Sequence, residues 1–244
     1  MKTILLKFAG PLQSWGTHSH FETRHTDFYP SKSAVIGLLA AALGYGRDED
    51  EKIRRLNTLD FAVRIDQQGR IIKDFQTAKK YDIKSEFKKV TQAYVTTRYY
   101  IEDAVFLVAL SSADEQLVTE IERALRRPYF QLFMGRRSVP VLADFLVDIV
   151  DVGAIEALKK ESWQAARWFM KKEKASSVRL TIIADKKLLD KKALAMPRRD
   201  VVSSFSQKNR RFAYRYEVQI AVDLTNPMAI NAREEHDIWE QLGE

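Results

Sequence analysis

The run Ala104–Leu110 constrains the fold of this chain more than any other segment. All seven of its residues, AVFLVAL, are apolar. Strands in the middle of a sheet read as continuous apolar runs of this length, because both of their faces are buried. We therefore expect a sheet with Ala104–Leu110 in its interior.

Helices and strands are predicted in a definite order around this run. Thr3–Phe8 has the pattern of a buried strand, and Ser33–Leu43 carries apolar residues at helical spacing until Gly44. A helix that begins with acidic residues is predicted at Asp48–Leu59. The residues that follow, Phe61 to Ile65, alternate apolar and polar as in a half-buried strand.

A second long helix is predicted after the apolar run. Ser112 is expected to cap it, because Glu115 follows three residues later and completes a capping box. Its inward stripe is predicted to consist of Leu117, Val118, Ile121 and Leu125. With a last strand in the Val139–Val150 region, the order β-α-β-β-α-β predicts an α+β, ferredoxin-like fold, an arrangement that many RNA-binding modules share. Fold alone does not give function.

Two further segments extend this plan. Lys73–Arg98 is too long for a hairpin loop and interleaves lysines with aromatic residues, so we expect a projecting arm. After Val150 the pattern changes to a helical segment around Ala154–Lys172 and then to strands near Val178–Ala184 and Ala213–Val222. We therefore expect a domain over 1–150, with the arm at about 73–98, and a smaller, mainly β lobe over 151–244.

Charge is distributed unevenly along the chain. The total of 40 Lys+Arg against 33 Asp+Glu gives +7, but Lys159–Arg215 holds 17 basic and 5 acidic residues, whereas Glu217–Glu244 holds 1 and 7. An electropositive side favours a polyanionic partner and a salt-sensitive complex. The alternative is a solvated, lysine-rich helix face.

Composition excludes several classes of site. Cysteine is absent, which rules out a disulfide framework, a zinc-thiolate site and a cysteine nucleophile. The apolar stretch Ala34–Leu43 is too short to span a bilayer, and Met1–Leu6 lacks the order of a signal peptide. We expect a cytoplasmic protein that acts without a cofactor, a metal or a membrane.

The segment Pro128–Pro140, PYFQLFMGRRSVP, is the strongest candidate for a nucleic-acid contact. Gly135 would let the main chain approach a phosphate, Arg136 and Arg137 supply planar donor forks, and Ser138 offers a hydroxyl. Aromatic residues beside them could stack on bases. A plain surface turn is the alternative.

Residues near the first strand and first helix are further candidates. Gln13 could bond a base edge or ribose, and Trp15 offers a stacking face, unless it is a buried plug between strand and helix. Ser33 would begin a helix whose free amides could bind phosphate, and Lys32 would add a point charge. Ser33 is equally explained as a plain N-cap.

Arg98 and Tyr99 lie where the arm returns to the sheet, so a guanidinium and a ring could clamp a splayed nucleotide there. The alternative is an edge-strand pair that faces solvent. Arg24 lies in the polar loop between the first strand and the first helix, from which a side chain can reach across the end of the sheet.

An enzyme is the competing class. Metal-independent RNA cleavage needs a general base and acid near the 2′-hydroxyl, and His18, His20 and His25 lie close together in the first long loop. The pair His18 and His20 could instead recruit a metal, although a solvated loop explains the pair better. The acidic run Asp48–Glu51 suits a helix start better than a magnesium site.

Four separated motifs follow one another along the chain: Lys7–Gly16, Pro30–Ser33 leading into Gly37–Ala40 and Gly44, Thr97–Tyr100 with Asp103–Phe106, and Gly135–Pro140. In order and approximate spacing they resemble the CasD family of type I-E CRISPR systems, a RAMP family. The resemblance covers roughly the first 150 residues well and the C-terminal lobe only loosely, around Met196–Arg198 and Phe205–Tyr216.

The resemblance implies a subunit of the Cascade complex, present once, that grips the 5′ handle of the CRISPR RNA and caps one end of the assembly. It implies contacts with the backbone subunit CasC and the large subunit CasA, with target DNA approached only indirectly. Type I-E systems assign RNA cleavage to a separate subunit, CasE, so the resemblance favours a binder over an endoribonuclease. The arm would act as a thumb between neighbouring subunits, through Lys79, Lys80, Tyr81, Lys84, Phe87, Lys88 and Lys89. A general single-strand RNA binder without assembly partners is a third possibility.

Overall fold

The computed structural model describes residues 1–17, 22–81, 90–189 and 193–229. It is a mixed α/β structure with one large antiparallel sheet. The strands are β1 (Lys2–Ala9), β2 (Leu12–Gln13), β3 (Thr23–Arg24), β4 (Asp60–Gln67), β5 (Arg70–Tyr81), β6 (Val90–Glu102), β7 (Val105–Ser112), β8 (Leu146–Val150), β9 (Ser177–Asp185), β10 (Met196–Ser204) and β11 (Arg211–Thr225). The helices are α1 (Lys32–Ala42), α2 (Asp50–Leu56), α3 (Glu115–Arg126), α4 (Ala154–Lys160) and α5 (Arg167–Lys172), with a short 3-10 turn at Lys186–Leu188.

The large sheet has seven strands in the order β10-β11-β9-β4-β7-β1-β8, and every neighbouring pair is antiparallel. The apolar strand β7 lies between β4 and β1, with Val108 opposite both Leu6 and Val63. Residues Ala104–Leu110 are buried. The prediction of a mid-sheet strand is confirmed, because an apolar run of this kind is stable only where both faces are covered.

Helices cover both faces of the sheet. On one face α1, α2 and α3 bury a core that includes Phe8, Phe61 and Phe106. On the other face α4 packs its Leu158 against Leu107 and the alanines beside it. The predicted inward stripe of α3 is confirmed, since all four of its members are buried: Leu117, Val118, Ile121 and Leu125.

Two predicted helix starts are wrong by one or two residues. The N-cap of α3 is Asp114, whose Oδ1 accepts the backbone N–H of Leu117 at 3.0 Å. Ser112 instead ends β7 and accepts the N–H of Asp114 at 3.0 Å. Either residue type can cap a helix, so the pattern Ser-x-x-Glu was ambiguous. Helix α1 begins at Lys32 with Ser31 as its N-cap, not Ser33.

The chain after Val150 continues the same sheet. β9 pairs with β4 from Ala62 opposite Ala184 to Ile65 opposite Thr181, and β11 pairs with β9 over nine residues, which places β10 at the sheet edge. β10 was not predicted. The division of the chain at residue 150 stays a prediction.

A buried arginine fixes the segment after α4 to the sheet. Arg64 on β4 is fully buried, its Nε donates to Asp66 Oδ1 at 2.6 Å, and its Nη2 donates to Asp66 Oδ2 at 2.7 Å. The same guanidinium donates to the carbonyls of Leu158, Glu161 and Ser162. It thereby satisfies one carbonyl group in the last turn of α4 and those of the two residues that follow the helix.

The segment Lys73–Arg98 contributes to a long antiparallel hairpin of β5 and β6, paired from Arg70 opposite Glu102 to Tyr81 opposite Val90. Short strands β2 and β3 pair with β6 near its C-terminal end and complete a second, four-stranded sheet. Lys79 and Lys80 are exposed on β5. Tyr81 is the last residue of β5. The remaining arm candidates, Lys84, Phe87, Lys88 and Lys89, lie outside the described residues.

Among the described residues, no helix is long and apolar enough to cross a membrane.

Candidate nucleic-acid interface

The predicted loop at Gly135 packs against the segment that follows β2. The N–H of Ser14 donates to the Met134 carbonyl at 3.2 Å, and Gly135 has a φ of +82°. A Cβ at Gly135 would collide with the Ser14 carbonyl oxygen. The glycine is therefore required by the close approach of two stretches of main chain, which positions the next residues, Arg136 to Ser138.

Arg136 is held over Tyr100 of β6. Its guanidinium carbon lies 4.2 Å from the centre of the Tyr100 ring, and its Nη2 donates to the Arg24 carbonyl at 3.1 Å. The side chain is half-buried, whereas Arg137 and Ser138 beside it are exposed. This contact brings the Gly135 loop, the polar loop before α1 and the base of the hairpin to one place.

The strand pairing of β3 with β6 brings two more predicted residues into the same place. Arg24 lies opposite Arg98 in this parallel pair, and His25 stacks on Tyr99 with ring centres 5.2 Å apart and planes 10° apart. We call Arg24, Arg98, Arg136 and Arg137 the arginine cluster.

The electrostatics of the cluster act on Tyr100. Burial of its ring acts to raise the pKa of the phenol, but Arg136, Ser138 and Arg98 near the oxygen outweigh burial, so the pKa is lowered from its ordinary value. Tyr100 was missed by the sequence analysis. The available signal was its position two residues after Arg98, because alternate residues of a strand share a face.

Two guanidinium N–H groups of the cluster are buried without an acceptor among the described residues. They are Nε of Arg98 and Nη1 of Arg136. A guanidinium fork matches the oxygens of a phosphate or carboxylate, and Arg24 and Arg137 of the cluster are exposed to solvent. The cluster therefore has the chemistry of an anion-binding site.

Gln13 and Trp15 are buried in the core and do not reach the surface. Gln13 Nε2 donates to the Ala104 carbonyl at 2.8 Å, and its Oε1 accepts the Trp15 indole N–H at 2.9 Å. The Trp15 ring packs against Phe8 with centres 5.0 Å apart. The interpretation of these side chains as base contacts is corrected: each has an internal partner, and Trp15 fills the gap that the alternative described.

Lys32 is also buried, which corrects its interpretation as a point charge for RNA. Its Nζ donates to Asp185 at 3.0 Å and to the Leu59 carbonyl at 2.8 Å. Burial lowers the pKa of Lys32 from its ordinary value, although Asp185 opposes this. The backbone N–H of Lys32 donates to Asp200, so a protein carboxylate already occupies the start of α1. Ser33 is half-buried, with its hydroxyl 3.4 Å from that of Ser31.

Asp185 and Asp200 belong to a buried ionic network that the sequence analysis missed. Arg215 is its centre, with Nη1 3.1 Å from Asp185, Nε 2.7 Å from Asp200 and Nη2 2.8 Å from Glu217. Its guanidinium also faces the Phe61 ring at 5.2 Å. Some of the basic residues that were counted toward an electropositive surface are thus buried and paired with carboxylates.

A second arginine connects this network to the loop before α1. Arg198 lies 3.0 Å from Asp27 and 4.1 Å from the centre of the Tyr29 ring. Tyr29 donates its hydroxyl hydrogen bond to Glu217, and burial, reinforced by Glu217, raises its pKa to about 12. The loop that carries Arg24 is therefore anchored on β10 and β11.

The family model described as "CRISPR-associated protein (Cas_Cas5)" matches residues 3–216. The chain belongs to this family. Two of the motifs that carried the resemblance contribute to the arginine cluster: Thr97–Tyr100 contains Arg98, and Gly135–Pro140 contains Arg136 and Arg137.

Individual relatives agree with the Cas_Cas5 assignment. The chain is 32% identical over 151 residues to "CRISPR system Cascade subunit CasD" of Escherichia coli (strain K12), an alignment that covers 57% of this chain and 66% of that protein, just under two thirds. A chain of a solved "CRISPR RNA-guided surveillance complex" superposes with a TM-score of 0.75 at 28% identity, covering 98% of this chain and 97% of that one. A second solved structure, "Crystal structure of Cas protein", has a TM-score of 0.60 at 30% identity and covers 94% and 98%.

Proposed function

We propose that this chain is a non-catalytic RNA-binding subunit of a type I-E Cascade complex, in which it holds the 5′ handle of the CRISPR RNA. The whole-length likeness to a chain of an RNA-guided surveillance complex and the similarity to CasD support the assembly. The arginine cluster supports the ligand.

The single observation that carries the proposal is the convergence of the arginine cluster: Arg24 lies opposite Arg98, and Arg136 packs on Tyr100 and donates to the Arg24 carbonyl. Guanidinium groups gathered in one place suit the oxygens of a phosphodiester group, and Arg24 is exposed to solvent there. Phosphate contacts of this kind fix the register of a strand. The exposed Arg137 and Ser138 would extend the grip to the next backbone group.

Ring stacking supplies the second part of the proposed interface. Tyr99 already stacks on His25, which shows that a flat partner fits on one side of its ring. An unstacked base of the handle could pack on the accessible edge of this pair, and base-on-aromatic stacking contributes about 1–3 kcal/mol per base. Gln13, Trp15 and Lys32 are left out of the interface because they are buried.

The fold supports the finer architecture of the proposal. β1, β4, β7 and β8 are adjacent in the order β4-β7-β1-β8 with α1 and α3 between them in sequence, which is the connectivity of a ferredoxin-like unit. We assign the hairpin of β5 and β6 as the thumb that reaches a neighbouring CasC subunit. Exposed apolar residues on the hairpin, Phe75, Tyr94 and Val95, suit a protein contact.

The same proposal places one copy of the chain at the end of the CasC filament, in contact with CasA, in the cytoplasm. Target DNA would be contacted only indirectly. Residues 1–150 would carry the handle and thumb contacts, and 151–244 would form the smaller lobe.

The salt dependence of handle binding tests the arginine cluster. In Arg136→Ala/Arg137→Ala, the slope of log affinity against log salt concentration is expected to shrink by roughly 0.7 for each phosphate group of a single strand that the variant can no longer neutralise. Titrations of labelled handle RNA at several salt concentrations measure this slope. The matched control is Arg123→Ala/Arg127→Ala, which removes two exposed arginines at the end of α3. Equal slopes in the two variants would contradict the proposed binding of phosphate by the cluster.

A metal-independent endoribonuclease is the second candidate. The observation in its favour is His25, an imidazole in the same place as the arginine cluster and Tyr99. His18 and His20 lie outside the described residues. The described residues hold no group of three His, Cys, Asp or Glu arranged to bind a metal ion. Incubation of repeat RNA with the protein in EDTA separates the two functions, because only the enzyme would shorten the RNA.

A further inference from the structure

Two tyrosines are exposed on β11 at some distance along the chain from the arginine cluster. Tyr214 and Tyr216 are 67% and 59% exposed, whereas Arg215 and Glu217, which alternate with them, are buried. In a strand, neighbouring side chains point to opposite faces, so both rings project away from the ionic network. Their Cα atoms are about 6.6 Å apart in an extended strand, and the two rings offer adjacent places for two unstacked bases.

The rings are presented on a rigid support. At the tyrosines β11 pairs with β10, with Pro197 opposite Tyr216 and a register shift beside Tyr214, and from Glu217 onward β11 also pairs with β9. Between the tyrosines, Arg215 is bonded to Asp200 and Glu217 within the buried network. A ring whose backbone is fixed in this way loses little conformational freedom when it binds a ligand.

The exposed charge of the segment that carries the tyrosines has one sign. The segment 193–216 contains six basic residues and a single acidic one, Asp200. Asp200, Arg198 and Arg215 are committed to the ionic network. The remaining basic residues are exposed: Arg199, Lys208, Arg210 and Arg211. Arg199 is held beside β11, since its Nε donates to the Phe212 carbonyl at 3.3 Å.

We infer that Tyr214 and Tyr216, with the exposed Arg199 held beside them on β10, form a second contact surface for single-stranded nucleic acid. We call it the β11 surface. Aromatic rings that stack bases, together with cations that neutralise the backbone, are the combination that binds a single strand without sequence preference. This surface goes beyond the handle site, because it shares no residue with the arginine cluster and needs no handle sequence.

A protein partner is the competing occupant, because Leu194 and Met196 are also exposed nearby. The observations favour nucleic acid, since the four exposed cations carry no exposed carboxylate with them within the segment 193–216. The strand itself could be RNA or DNA, because stacking and phosphate contacts are common to both.

Binding of strands that lack the handle tests the inference. The full chain is titrated with a short oligouridylate and, in a parallel arm, with the matching oligothymidylate. Tyr214→Ala/Tyr216→Ala is expected to weaken binding by about 30-fold, from the removal of two stacked rings at the low end of their range. Tyr214→Phe/Tyr216→Phe keeps both rings and is expected to bind like the parent chain.

The outcomes are distinct. If the alanine variant loses binding and the phenylalanine variant retains it, the result supports the β11 surface. The oligonucleotide that binds more tightly, oligouridylate or oligothymidylate, then identifies RNA or DNA as the ligand. Equal binding by the parent and the alanine variant would overturn the inference and leave the surface to a protein partner. An equal loss of handle RNA binding in the alanine variant would also overturn it, by joining the tyrosines to the handle site. Failure of the handle proposal alone would leave the oligouridylate result unchanged.

Discussion

Arg215→Ala is expected to destabilise the protein by about 3–5 kcal/mol, because it removes the central cation from a buried ionic network. The parent network holds three cations and four carboxylates. Without Arg215, Asp200 loses its closest donor and Glu217 loses its closest cation, and only Lys32 and Arg198 remain to balance four negative charges. Urea unfolding of the two proteins measures the difference in free energy of unfolding.

Arg211→Ala is the matched control for this substitution. Arg211 lies on the same strand but is exposed, so its loss is expected to change stability by no more than about 0.5 kcal/mol. If Arg215→Ala were as stable as this control, the network would contribute nothing measurable and the anchoring of the Arg24 loop on β11 would have to be reconsidered.

Arg64→Ala is expected to cost a similar amount, about 3–5 kcal/mol. The substitution leaves the fully buried Asp66 without its ion-pair partner and removes the donor to the carbonyls of Glu161 and Ser162. Arg64→Met/Asp66→Asn removes both charges and is expected to lose less than the single variant. If the double variant were less stable than Arg64→Ala, the loss of stability would come mainly from the hydrogen bonds to the carbonyls and not from the unpaired charge.

The stability of Arg64→Ala is also expected to depend on pH. Burial raises the pKa of Asp66 above its ordinary value, and Arg64 opposes this. Without Arg64 the pKa should rise further, so the folded state binds a proton more tightly than the unfolded chain. Stability then falls as pH rises, and the deficit of Arg64→Ala relative to the parent should be larger at about pH 8 than at about pH 5. Unfolding curves at the two pH values give the comparison.

The elements that were predicted correctly are those whose structure is specified by a single local pattern of residues. β7 and the inward stripe of α3 are both read from apolar spacing alone. β10 was missed because its burial comes from Asp200, Val202 and Ser204, and a strand whose buried face is partly charged does not show apolar alternation. The network that buries Asp200 forms only when distant strands pair, so no local signal reports it.

The same distinction holds at the candidate site. Gly135 to Ser138, Arg24, Arg98 and Tyr99 were predicted from residue type, and the structure brings them together. Gln13 and Lys32 have residue types that suit RNA, but their partners are the Ala104 carbonyl and Asp185. Sequence shows which groups could bind a ligand, whereas only the fold shows which of them already have a partner.

Handle specificity without cleavage is the most direct test of the proposed function. Purified protein is incubated in EDTA with end-labelled handle RNA, challenged with an excess of scrambled RNA of equal length, and analysed for both retention and length of the label. We expect the handle to stay bound and intact, because the arginine cluster and the Tyr99 ring hold it without a reaction. A shortened RNA, or displacement by scrambled RNA as readily as by the handle itself, would contradict the account.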